Sequence, residues 1–226
     1  MIPGLAGLRG LMAEAAGPSG PDANTVFLCR FNTATPTDEI STTAGTLVGN
    51  ANCDTANSQL VTDGTGDWVT FNGATISDEF SSGDTTMELH TNIAAAQVCG
   101  LVSRSASGPT RYALYCHGTG TLSFYMDRYS TSVPLLTAAG ALDGTEKHIA
   151  IVRNGLIWRM YVSGVQVNSF TTTLAPENST NNLYVAADIA ATASRDVACR
   201  IGRLKFSNVA RYPSGTTFTP PSRTDA

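Results

Sequence analysis

The sequence predicts an all-β chain folded as a two-sheet antiparallel jelly-roll sandwich. Three observations predict it. From Thr25 onward, apolar side chains recur at every second position in short runs, the period of a strand with one buried face. Turn signals such as Gly118-Thr119-Gly120, Asn154-Gly155 and Ser163-Gly164 separate those runs, and turns about every 8–12 residues are the rhythm of a sandwich or jelly roll. No convincing helical period appears in that region, and no internal repeat suggests a propeller or solenoid.

The first 24 residues stand apart. Ile2, Leu5, Leu8, Leu11 and Met12 fall close to an i, i+3 stripe, which breaks at the linker-like Gly17-Pro18-Ser19-Gly20-Pro21. Ala13-Glu14-Ala15 loosely mimics a signal cleavage site, but no basic residue precedes the apolar stretch, and Pro3, Gly4, Gly7, Arg9 and Gly10 interrupt it. An amphipathic segment too short to fold alone needs another surface to bury it. Residues 1–24 are therefore expected to be a docking arm and linker, and residues 25–226 a single domain.

Within that domain, strands are predicted over 25–31, 58–61, 67–71, 85–91, 97–103, 111–116, 121–126, 147–153, 156–162, 165–170, 183–187 and 196–207. The clearest are the last hairpins. In His148–Val167, Asn154-Gly155 is expected to make a type I′ turn, and Ser163-Gly164 a second tight turn eight residues on. Trp158, Met160 and Val162 share one parity and are assigned to the core; Ile157, Arg159 and Tyr161 share the other. Tyr112, Leu114 and Cys116 pair in the same way with Leu122, Phe124 and Met126 across the 118–120 turn. In 196–207, Val197, Cys199 and Ile201 have one parity and Leu204 and Phe206 the other, which calls for a bulge near Gly202.

Composition narrows the function. Hydrophobic residues are 42% of the 226, charged residues only 14%, and the net charge is −4. No basic run invites nucleic acid, and no apolar run approaches the ~20 residues of a membrane helix. Five cysteines (Cys29, Cys53, Cys99, Cys116, Cys199) show no CxxC spacing and read as buried free thiols suited to a reducing cytoplasm.

Several segments resemble, in order, the laminin-G-like branch of the concanavalin A-type jelly rolls. They are Phe27–Asn32, Asp63–Val69, Met87–His90, Lys147–Val167 with its His-apolar-Ala-apolar-Val-Arg strand, and Ile201–Tyr212 followed by Phe218-Thr219-Pro220-Pro221. The resemblance covers about residues 25–221, and the ending is similar to versions in tailed-phage virion proteins. Where the family's closing strand often has an acidic pair, Arg200-Ile201-Gly202-Arg203 stands here, so the resemblance gives no support for a cation or ligand site that uses those acids.

Catalytic signatures are sparse. A glycosidase needs two carboxylates flanking the scissile bond; strand positions offer Glu88 alone, and Asp78-Glu79 lies between strands. His90, His117 and His148 have no GxSxG elbow to serve. Asp63, Asp67, Asp84, Asp188 and Asp196 form no recognised calcium loop. The sequence-based expectation is a protein that is not an enzyme and has no cofactor or metal. The resemblance implies a structural protein of a phage-like virion, made in the host cytoplasm. It would sit on the capsid or tail, oligomeric in the assembly and attached through its arm to other virion proteins. The alternative is an adhesion module for host surface glycans, with Tyr115, Tyr125, Tyr129 and Tyr161 as the glycan or partner surface.

Overall fold

The computed structural model describes residues 20–77, 80, 83–93, 98–104, 112–126, 134–176, 180–187, 198–215 and 217–223. Among them there is no helix; fifteen strands build the chain. These are β1 (Thr25–Cys29), β2 (Thr46–Val48), β3 (Asn52–Asp54), β4 (Gln59–Asp63), β5 (Trp68–Phe71), β6 (Thr85–Ile93), β7 (Cys99–Arg104), β8 (Tyr112–His117), β9 (Thr121–Met126), β10 (Leu136–Ala138), β11 (Lys147–Asn154), β12 (Ile157–Val162), β13 (Val165–Thr171), β14 (Leu183–Val185) and β15 (Ala198–Ser207). The three-residue strands β2, β3 and β10 are additions to the sequence reading. They are too short to show an alternating pattern.

The strands form two antiparallel sheets, the sandwich that the alternation predicts. One runs β13-β12-β11-β6-β15-β4-β3, with β1 also paired to β15; the other runs β10-β9-β8-β7-β14-β5-β2. The ten-residue β15 lies along β6 on one edge and seats both β4, through Ala198–Ile201, and β1, through Leu204–Ser207, on the other. Its register shifts between Ile201 and Leu204. That bulge lets Cys199, Ile201, Leu204 and Phe206 all enter the core despite their mixed parity. At Gly202 a Cβ would come within 2.4 Å of the Arg223 side chain, so glycine leaves room for Arg223 to pack against the bulge.

The two tight turns differ. Ser163 and Gly164 both have positive φ (49° and 80°), the type I′ pattern. The β11–β12 connection is instead Gly155-Leu156, because Asn154 pairs with Ile157, and only Gly155 has positive φ, 59°. Glycine at the first central position is the type II′ arrangement, which corrects the type I′ assignment of Asn154-Gly155.

The core between the sheets is aromatic at its centre. Phe80 stacks on Trp158 at 5.8 Å and lies 5.9 Å from Phe124, itself 5.7 Å from Trp158. Phe27 meets Phe71 and Phe206 edge-on at 5.1 and 5.6 Å. All five cysteines are free, four of them buried. A second, smaller cluster of Ala150, Val152, Tyr161, Tyr212 and Phe218 lies outside the eight-stranded sheet. There the segment after β15 returns as a strap: Tyr212 and Phe218 stack with ring centroids 3.5 Å apart, and Phe218 N–H donates to Gly164 O at 3.0 Å. The middle of that sheet is therefore buried on both faces.

Candidate functional site

Alternation sends Ala113, Tyr115 and His117 of β8, with Thr121, Ser123 and Tyr125 of β9, to the outer face of the seven-stranded sheet, because Tyr112, Leu114, Cys116, Leu122, Phe124 and Met126 fill the core. Tyr115 and Tyr125 meet edge-to-face at 5.4 Å, and the His117 ring lies 6.4 Å from each. Tyr125 Oη approaches His117 Nε2 at 3.5 Å. All three are half-buried, and the exposed Thr119 and half-buried Thr121 hydroxyls share a hydrogen bond of 2.9 Å at the hairpin end. Trp68 shares this face through β5, since Val69 and Phe71 point inward. The sequence reading missed it, although its parity against Val69 and Phe71 was available.

Tyr161 does not belong to any open surface. It sits on the outer face of its sheet, as its parity predicts, but the strap covers it completely. Its hydroxyl donates to Tyr212 O at 2.7 Å, and its ring touches Phe218 at 5.3 Å. Tyr129, together with Ile2, Leu5, Leu8, Leu11 and Met12 of the arm, lies outside the described residues.

Beneath the strap is a charged cluster that four separate segments supply. Glu88 (β6), His148 (β11), Arg203 and Lys205 (β15) are all at most 3% exposed. Tyr212 Oη donates to Glu88 Oε2 at 2.8 Å, His148 Nε2 lies 3.4 Å from the same oxygen, and Arg203 Nη2 lies 3.6 Å from Oε1. His90 stands beside His148 at 5.0 Å between ring centres, with Nδ1 3.7 Å from Glu146 Oε1. Around the rim, Arg203 donates to Ser222 O at 3.2 Å, Arg223 Nε pairs with Glu146 at 3.0 Å, and Lys205 donates to Gly20 O at 2.9 Å. Arg211 grips Asp22 with two bonds of 2.8 and 3.0 Å. The cluster thus ties the entry segment and the strap to one sheet.

Its electrostatics follow from burial against pairing. Burial alone would raise the Glu88 carboxyl, but the close approach of His148 and the nearby positive charges of Arg203 and Lys205 outweigh it and bring its pKa down to about 2. Burial, helped by the neighbouring His148 ring and the Arg203 charge, lowers His90 to about 3, so His90 is neutral in the fold. Burial also lowers Lys205, to about 8, and pushes the Tyr212 phenol up. Arg211 holds Asp22 well below the usual carboxylate range.

Two aspartates weighed as cation ligands are turn clamps. Asp67 accepts the Asp63 N–H at 2.9 Å and also that of Asn50; Asp84 accepts the Gly155 N–H at 2.7 Å. A further cleft of about 430 Å³ opens at the seam between β10 and β12–β13, lined by Thr137, Ala138, Gly140, Lys147, Val162 and Val167.

Two antiparallel sheets around one aromatic core, in the order given, are matched over residues 63–214 by the family model of the concanavalin A-like lectin/glucanases superfamily. The chain belongs to that superfamily. No curated protein matches it. Among solved structures, Trypanosoma rangeli sialidase matches with a TM-score of 0.66 at 15% identity, covering 86% of this chain and 32% of that one. The botulinum neurotoxin serotype D binding domain matches with a TM-score of 0.66 at 9% identity over 83% of this chain and 48% of its own. The type G receptor-binding domain does so at 0.63 and 10%, over 85% and 50%. The chain therefore spans about a third of the sialidase and half of the toxin domains, and at these identities the likeness concerns the fold alone. It corrects one expectation. The concanavalin A-like fold recurs inside the chain of a sialidase, so the lack of a familiar carboxylate pair or triad does not set this chain apart from enzymes.

Proposed function

We propose that the domain is a glycan-recognition module that binds through the Tyr115–His117–Tyr125 face. Selective exposure carries the reading. Of the six described tyrosines, Tyr112, Tyr161, Tyr184 and Tyr212 are buried, while Tyr115 and Tyr125 alone keep part of the ring at the surface. Amphipathic rings with a polar edge suit the apolar face and hydroxyl rim of a sugar, and the Thr119 and Thr121 hydroxyls and His117 ring supply hydrogen-bonding groups beside them. The fold-mates support the class of ligand: the sialidase has been solved in complex with sialic acid, and the toxin domains are receptor-binding domains. Tyr115→Ala and Tyr125→Ala are expected to weaken the best ligand of a glycan array by about tenfold or more, a loss of about 1.4 kcal/mol, with an unchanged thermal melt. Undiminished binding by both variants, or a blank array with the intact chain, defeats the proposal.

A second reading concerns the carrier. From the resemblance of the 201–221 ending, we propose that the module belongs to a phage-like virion and joins its capsid or tail through residues 1–24. A chain lacking residues 1–19, which keeps the Gly20 and Asp22 contacts to Lys205 and Arg211, is expected to stay folded yet be absent from purified particles; particles that retain it rule out the arm. The ending also has a packing role of its own, since Tyr212 and Phe218 cap the Glu88 cluster.

A further inference from the structure

We infer that Cys99 and Cys116 are a disulfide-competent pair, so that the β7–β8 connection can be covalently locked by oxidation. Cys99 opens β7, Cys116 stands next to the end of β8, and the register sets them directly opposite each other. Opposed residues of an antiparallel pair hold their Cα atoms about 4.5–5.5 Å apart, inside the span of about 4.4–6.8 Å that a disulfide bridges. Both side chains point into the core and are fully buried. The two thiols are near enough that each shifts the other's ionisation, Cys99 upward and Cys116 downward. The register shift between Gly100 and Val102 places a bulge beside the pair, where a strand twists most readily.

The remaining thiols are placed differently. Cys199 comes from the opposite sheet and is engaged with Thr62 Oγ1 at 3.3 Å. Cys29 and Cys53 lie on β1 and β3, which are not paired with each other. Access to the pair comes from the sheet's end: Val98, next to Cys99, is 51% exposed, and His117, next to Cys116, is half-buried. The pair thus sits one residue beneath the rim, and fraying of that end exposes it.

The oxidant named here is a small disulfide such as glutathione disulfide. The Cys116 thiolate, favoured by the adjacent Cys99 thiol, attacks one glutathione sulfur; a Cys116–glutathione bond forms and one glutathione thiolate leaves. Cys99 then loses its proton and attacks the Cys116 sulfur, expelling the second glutathione thiolate. Two protein thiols are oxidised, one disulfide is reduced, and the two protons end on two glutathione thiols.

The full chain, incubated with glutathione disulfide and then alkylated and digested without reductant, is expected to yield one cross-linked species joining Cys99 to Cys116. Its melting temperature is expected to rise by about 6–10 °C over the reduced chain, and Cys99→Ala is expected to abolish the rise. The peptide map requires no variant, so a poorly folding Cys99→Ala leaves the test intact. Five alkylatable thiols after full incubation, or a link between any other two cysteines, overturns the inference.

Discussion

Glu88→Ala is expected to destabilise the domain by about 3–5 kcal/mol, the cost of removing one partner from a buried ionic cluster. The carboxylate is fully buried and is the acceptor for Tyr212, 2.8 Å away, with His148 and Arg203 at 3.4 and 3.6 Å. Its loss leaves buried Arg203 and Lys205 short of a counter-charge and removes one anchor of the strap, the Tyr212 hydroxyl bond. Limited proteolysis should then cut within 208–223 in Glu88→Ala before the intact chain is touched. Glu88→Gln keeps an acceptor for Tyr212 and is expected to cost less, about 1–3 kcal/mol. An alanine variant that unfolds within about 1 kcal/mol of the parent would show that the cluster is not what fastens the strap.

The same groups set the acid limb. Glu88 has a folded pKa of about 2 against an ordinary 4.5. A depressed carboxylate contributes stability that is present above 4.5 and lost as the pH falls towards 2. His90 has a folded pKa of about 3 against 6.5. It is buried neutral, the unfolded chain takes up its proton first, and stability drains away from pH 6.5 downward. The melting temperature is therefore expected to fall below pH 6.5 and more steeply below 4.5, and Glu88→Gln should flatten only the steeper part.

How much of this was legible depends on whether the signal is local. Alternation in 112–126 and 147–171 is a property of neighbouring residues, so both hairpins and the inward set Trp158 and Met160 could be read directly. The bulge near Gly202 was readable because Ile201 and Leu204 demand the same side from the wrong parity. The Gly155-Leu156 turn was misjudged by one residue, because a two-residue loop is fixed by the register of Asn154 with Ile157 and not by the dipeptide alone. Tyr161 was assigned the right face and the wrong environment. Nothing within β12 reveals that residues 212 and 218 return to cover it. The Glu88 cluster was invisible for the same reason: its members come from positions 88, 148, 203 and 212, and only the pairing of β11 and β15 on either side of β6 makes them neighbours.

Trp158→Ala is expected to cost a further class of stability, about 3–5 kcal/mol, by opening a cavity where the two sheets meet. Trp158 comes from β12 in the eight-stranded sheet, and Phe124 from β9 in the other; their rings stack at 5.7 Å, with Phe80 at 5.8 Å against the indole. The side chain is fully buried, and its neighbours hang from strands held in register, so collapse into the space is limited. The Arg153 guanidinium, 5.7 Å from the ring centre, also loses its aromatic face. Two contributions can be separated. Among the described residues the buried indole N–H has no hydrogen-bond partner, so it adds nothing that Phe would forfeit. Trp158→Phe keeps most of the stacking surface and is expected to cost only about 1–2 kcal/mol. Chemical denaturation of the three proteins reads both steps. If Trp158→Phe proves as costly as Trp158→Ala, the indole N–H has an acceptor after all, and the sheets are joined at this point by a hydrogen bond as well as by packing.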